Sequence, residues 1–332
     1  MLRIPFEHLH GVMAGALRKT GMAERRADEC ARLFAEASRD GVASHGLNRF
    51  PRFLRTIARG VVDVNASPVR LSAAGALERW DGRAGPGNLN AQASMAGAIA
   101  LARVHGIGCV ALSRTNHWMR GGSYGWQAAD AGVIALCWTN TLANVPPWGA
   151  SDPRVGNNPL VVAVPRRGGH VVLDMALSQF SVGALTGYAA RGADLPVAGG
   201  YDGNGRLTQD AAAILESRRL LPIGFWKGSG LAFALDLIAA ALSAGHATHQ
   251  IPQDPEQETA LSQVFIAIDP ASLSPGAGVD ELANAAIAHL TAGSGDVRYP
   301  GARTLEIRER SLREGVEVDE VIWTEVQASA EG

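Results

Sequence analysis

Apolar residues recur at helix spacing through 11–19 and 25–37, with Thr20-Gly21 between the two runs. A third helix is expected over 52–59, ended by Gly60. Residues 61–82 read as extended, with turn residues at Asp63, Pro68, Gly75 and Gly82. Gly85-Pro86-Gly87-Asn88 then opens a helix rich in Ala, Met and Ile that runs to His105. The pattern next predicts a strand at 108–112, a polar loop at 113–122, a helix at 123–131 and a strand at 132–139. Strands at 160–164 and 171–174 follow as a short return, then helices at 178–190 and 228–244 and a late strand at 262–268. Helices near 279–292 and 304–328 close the chain, and 252–260 and 293–303 read as loops. Strands and helices alternate without a strict repeat, so the expected class is α/β with a mixed, α+β-like sheet. Three regions are expected: a mainly helical 1–82, a central 83–270, and a helical 271–332 packing back on the first.

Bulk numbers narrow the function only by exclusion. The chain has 332 residues, 47% apolar and 19% charged, with a formal net charge of -2. No basic excess points to nucleic acid, and no charge block points to a disordered tail. Cys30, Cys109 and Cys137 are odd in number, far apart and set in apolar runs, which fits free thiols in a reducing compartment. The N-terminus lacks the apolar stretch of a signal peptide, and no apolar run reaches membrane-spanning length. A cytoplasmic protein is the expectation.

Candidate chemistry concentrates in a few segments. Gly106-Ile107-Gly108-Cys109-Val110-Ala111 has the letters of a dinucleotide turn, but a helix precedes it and a strand follows, the reverse of the required order. A helix C-cap glycine is the better reading. Trp226-Lys227-Gly228-Ser229-Gly230 opens a helix, where free amides and a lysine suit an anion; an ordinary glycine-rich helix entry reads equally well. Asp174 ends a strand before Met175-Ala176-Leu177-Ser178 and could hold a ribose or cap the helix. No Walker motif is present.

Among the nine histidines, His8 with His10 and His246 with His249 lack a third metal ligand nearby, and His105, His170 and His289 sit at element ends. His45 and His117 differ. Ser44-His45-Gly46-Leu47-Asn48-Arg49 places an imidazole four residues before a guanidinium, between an acid-rich helix and a basic one. Imidazole moves protons near neutral pH, and guanidinium is a permanent fork for a carboxylate. Thr115-Asn116-His117-Trp118-Met119-Arg120-Gly121-Gly122 offers amide, imidazole, indole and guanidinium between a strand and a helix.

These segments resemble the malate/L-lactate dehydrogenase family of the second type, which is unrelated in fold to the Rossmann malate and lactate dehydrogenases. The likeness rests on Ser44-His45-Gly46 with Arg49, Asn116-His117, Pro147-Trp148-Gly149, Asn158-Pro159, Asp174-Met175, and Lys227-Gly228 before its helix, and so spans most of the chain. It is densest in 44–53, 116–129, 137–140 and 146–150. The resemblance implies a non-Rossmann nicotinamide domain with a mixed, largely antiparallel sheet, an NAD cofactor with NADPH possible, and a homodimer with active sites near the subunit interface.

It also implies roles. His45 would be the proton donor and His117 an acid/base partner, with Arg49 on the substrate carboxylate. Ser44, Asn116, Trp118 and Arg120 would complete the substrate site. Asn140, Asp174, Met175, Ala176, Ser178, Phe180, Ser181, Trp226, Lys227, Gly301, Ala302 and Arg303 would contact the cofactor, and no metal is expected. Many relatives carry an acid where Ala302 stands here. The expected reaction is reduction of a 2-keto sugar acid. Its rivals are malate- or lactate-type oxidation, ureidoglycolate oxidation, reduction of a cyclic imino acid such as piperideine-2-carboxylate, and a non-catalytic binder of cofactor or sugar acid.

Overall fold

The computed structural model describes residues 2–273, 276 and 278–331. Strand β1 (Leu2–Ile4) leads into helices α1 (Phe6–Lys19) and α2 (Glu24–Arg39). Helix α2 buries Ala27, Cys30, Ala31, Phe34 and Ser38, one face of a helix at three- and four-residue spacing. Its chain end, at Asp40, passes through two short 3-10 turns, Ala43–His45 and Leu47–Arg49, into α3 (Phe50–Ala58). Gly46 joins those turns and presses on α2. A Cβ there would lie 2.2 Å from Ser38 Oγ and 2.8 Å from the Phe34 carbonyl, so only glycine fits.

Hairpin β2 (Val69–Ala74) and β3 (Leu77–Asp81) precedes α4 (Gly87–His105), β4 (Ile107–Thr115), α5 (Gly122–Asp130) and β5 (Ile134–Thr139). Then come β6 (Leu160–Val164), β7 (Val171–Met175), α6 (Val182–Ala190), a small hairpin of β8 (Gly200–Tyr201) and β9 (Leu207–Thr208), α7 (Ala211–Ser217) and α8 (Trp226–Ser243). The chain ends with β10 (Leu261–Ile268), α9 (Pro270–Leu273), α10 (Val279–Thr291), α11 (Ala302–Glu314), β11 (Val316–Val318) and α12 (Glu320–Glu331). The central sheet runs β2-β3-β4-β10-β5-β6-β7. Among the described residues only the β3–β4 pair of this sheet is parallel, so the expected mixed, largely antiparallel sheet is what forms.

Three apolar cores fill the molecule. Helices α1 and α2 enclose Leu9, Met13, Phe34 and Phe50 together with Trp323 of α12. Helices α4 and α5 pack over one region of the sheet around Trp118, Tyr124 and Phe265. A third cluster joins α6, α7 and α8 to Trp138 and Val264. Among the described residues no helix is long and apolar enough to cross a membrane.

Gly106 has φ +80° and caps α4 before β4, so the dinucleotide-like letters there are a helix stop. The single helix expected over 304–328 is two helices: Gly315, at φ +91°, ends α11, and 316–318 pairs with 2–4 as β11 on β1. The hairpin β8–β9 and helix α7 were also not expected.

Candidate active site

Local packing builds the histidine pair. Leu47 N donates to Ser38 Oγ at 2.8 Å, which fixes the turn carrying His45 to the end of α2. Asn116 Nδ2 donates to the carbonyls of Ala84 and Gly85, both at 2.9 Å, and so pins the His117 loop to the turn before α4. Tyr124 Oη donates to the Trp118 carbonyl from inside the core. The two imidazoles then stack, with centroids 5.7 Å apart and planes 18° from parallel.

Each ring is held by its Nδ1 edge. Met119 N donates to His117 Nδ1 at 3.0 Å, and Ser44 Oγ lies 3.1 Å from His45 Nδ1. An amide N–H can only donate, so neutral His117 carries its proton on Nε2. Protonating Nδ1 would break the Met119 bond. Burial, then Arg49 and Arg120, lowers the His45 pKa to about 4. Burial, Arg49, His45 and Arg52 hold His117 well below its ordinary value. Both rings are therefore neutral near pH 7, and the first added proton belongs on His45.

Cations surround the pair. Arg49 lies 3.7 Å from Glu258, whose carboxylate also accepts from Leu142 N at 3.2 Å. Burial and Arg52, against the pull of Glu258, bring the Arg49 pKa down to about 10, so it stays charged at neutral pH. Arg120 is tied to Asp40 at 2.5 Å, and Asp40 also holds Arg308 at 2.6 and 2.8 Å and Arg39 at 2.8 Å. Burial alone would raise the Asp40 pKa, but the hydrogen bonds of Arg308 and the charge of Arg120 hold the carboxyl well below its ordinary range. Arg120 Nε is buried without a partner among the described residues.

A cavity of about 820 Å³ runs past these groups. It gathers Ser44, His45, Arg49, His117, Arg120, Asp174, Ala176, Ser181 and Gly301 from the expected set, with the edge of Trp118. Trp118 is only 1% exposed and stacks on Tyr124 and Phe265, so it is chiefly a wall. Asp174 is walled by protein yet open to the cavity. Burial raises its pKa, opposed by the nearby Arg120 charge and by Gly122 N, which donates to its Oδ2 at 2.8 Å. Ser181 caps α6 by accepting from Ala184 N at 3.1 Å and faces the cavity at that helix start.

Other expected contacts stand elsewhere in the single chain. Asn116 grips the backbone behind His117 and does not line the main cavity. Asn140 is spent on Asp236, the His246 carbonyl and Ser262 N. Ser178 Oγ donates to the Phe180 carbonyl at 2.7 Å, Phe180 packs on Tyr188, and Met175 packs into the third core. Trp226 and Lys227 are exposed at the start of α8, away from this cavity. Ala302 begins α11, and Arg303 lines a separate surface groove with Arg298, Glu306 and Arg310. Sequence reading missed Arg52, Glu258, Asp40 and Arg308. The alternating acids Asp254, Glu256 and Glu258 were a usable signal, but nothing local marked their partners.

The cavity suits a nicotinamide dinucleotide beside an acid. It is larger than a small keto acid needs, and Arg120 Nε offers an unused donor in its wall. Stacked imidazoles, a nearby guanidinium and a large cavity are parts that an oxidoreductase acting on the CH–OH group of an acid needs. The malate/L-lactate dehydrogenase family model matches residues 4–327, and the chain belongs to that family. The 2,3-diketo-L-gulonate reductases of Salmonella paratyphi B and Salmonella typhimurium are each 44% identical to it, over 98% of this chain and 100% of theirs. Among solved structures, delta1-piperideine-2-carboxylate reductase from Pseudomonas syringae superposes with a TM-score of 0.89 at 30% identity, over 99% of this chain and all of that one. Malate dehydrogenase from Pyrococcus horikoshii gives 0.90 at 25% identity, over 99% and 95%.

Proposed function

We propose that the protein reduces a 2-keto sugar acid, 2,3-diketo-L-gulonate being the leading substrate, with NADH or NADPH as reductant. The stacked His45–His117 pair in a cavity with Arg49 is the observation that carries this reading. Arg49 grips the carboxylate. Bound nicotinamide would supply hydride to the keto carbon. His117 donates a hydrogen bond from Nε2, and His45 delivers the proton to the keto oxygen. The fixed Nδ1 of His117 makes His45 the donor, because only His45 gains a proton without losing a backbone bond. Asp174, Ala176, Ser181 and Gly301 hold the cofactor along the cavity.

Carboxylate binding cancels part of the positive charge that keeps His45 neutral, so substrate arrival raises its pKa and loads the proton where it is needed. Oxidation of NADH and NADPH followed by absorbance with a panel of keto acids tests the reading. Arg49→Lys is expected to raise KM for acids about 10-fold with a smaller change in kcat, since a point charge replaces a fork. Steady-state kinetics check this, and an unchanged KM would make Arg49 structural.

The proposal extends to a homodimer. Helix α8 exposes Leu231, Phe233, Leu237, Ile238 and Leu242, at 37–54% each, as one apolar face that a second copy would cover. Trp226 and Lys227 begin the same helix. Sedimentation should show twice the chain mass. The cytoplasm is the proposed compartment, where Cys30, Cys109 and Cys137 remain the free thiols seen here.

A further inference from the structure

Helix α3 and the acidic loop opposite it form a register of charges that ends at the cavity. Arg49, Arg52, Arg55 and Arg59 follow at three- and four-residue steps and share one helix face. Asp254, Glu256 and Glu258 alternate along the facing loop. Arg59 reaches Glu256 at 2.6 Å and Asp254 at 3.8 Å, Arg55 reaches Glu256 at 3.0 Å, and Arg49 lies 3.7 Å from Glu258. Arg52 has no ion pair and no side-chain hydrogen bond among the described residues. It is half-buried and lines the cavity with Arg49, His45 and His117. Arg55 also reaches Glu325 at 3.8 Å, so the outer arginines are paired, whereas at the cavity end Arg49 and Arg52 face the single carboxylate of Glu258 beside the two histidines.

We propose that Arg52 is a specificity-determining residue, the second half of the carboxylate clamp, sharing the substrate's carboxylate with Arg49. This rests on the keto-acid reading of the site. Glu258 attracts Arg52 without touching it, so among the described residues this half-buried guanidinium keeps its donors unpaired, and a carboxylate between Arg49 and Arg52 would engage them. Glu258 cancels one of the two charges, leaving a net single positive charge that matches one carboxylate. A second carboxylate at this end would meet Glu258, so dicarboxylates are disfavoured here.

The test uses oxamate, a keto-acid mimic that cannot be reduced, titrated by calorimetry into the NADH-loaded enzyme, alongside kinetics with 2,3-diketo-L-gulonate. Arg52→Gln is expected to weaken oxamate and raise KM by about 10- to 100-fold while kcat stays within about 3-fold. Arg52→Lys should recover part of the loss. Arg55→Gln, on the same ladder but paired with Glu256, should leave oxamate affinity unchanged. Unchanged oxamate affinity and KM in both Arg52 variants would overturn the assignment, even with full wild-type turnover. Loss of oxamate binding in Arg52→Gln, with no turnover of any keto acid by the wild type, would keep the anion site and overturn the reductase reading instead.

Discussion

His45→Ala is expected to lower kcat for keto-acid reduction by about 10²- to 10⁴-fold with cofactor affinity nearly kept. In the proposed mechanism the imidazole is the proton source, while Asp174, Ser181 and Gly301, the proposed cofactor contacts in the same cavity, are untouched by the change. The pH profile should carry the same signature. In the free enzyme His45 titrates near pH 4, so kcat/KM for reduction should fall as pH rises above that value. A bound carboxylate offsets the Arg49 charge, so kcat should hold to higher pH than kcat/KM does. His117→Ala should lower kcat too, but without removing the group that titrates. A His45→Ala enzyme with wild-type kcat would take His45 out of the mechanism.

Asp40→Ala is expected to destabilise the fold by about 3 kcal/mol or more, since it leaves Arg39, Arg120 and Arg308 facing one another without their common carboxylate. Urea unfolding followed by circular dichroism measures this as a lower midpoint. The sign with pH follows from the depressed carboxyl. Its contribution is present above the unfolded carboxylate range, near pH 4, and is lost as pH falls further. The same change releases Arg120 from the cavity wall, so any folded variant should also show a raised KM. A midpoint equal to wild type would mean that solvent already screens the cluster.

The parts of the site legible in the sequence are those written in consecutive residues. Ser44-His45-Gly46 and Asn116-His117 stand out as consecutive motifs, so both histidines could be singled out, and the fold brings them together in the cavity. The long-range partners carried no such mark. Asp40 meets Arg120 and Arg308, and Arg49 meets Glu258, across 80, 268 and more than 200 residues of chain. Side-chain direction was equally hidden. Near the strand ends, Asn140 turns into buried hydrogen bonds while Asp174 and Ala176 open to the cavity. The helix expected over 304–328 failed for a related reason: only β1, at the other end of the chain, turns 316–318 into a strand. The mixed class of sheet was legible because strands and helices alternate without a strict repeat, whereas its largely antiparallel pairing came with the family resemblance, since β10 meets β4 and β5 across more than 120 residues.

The most direct measurement of the central claim is kcat/KM with 2,3-diketo-L-gulonate, pyruvate, oxaloacetate and piperideine-2-carboxylate, each with NADH and NADPH. The sugar acid is expected to lead the monocarboxylates and oxaloacetate to trail, with one cofactor clearly preferred. Retained cofactor binding with no oxidation by any of the four, or a lead for the imino acid or for oxaloacetate, would contradict it.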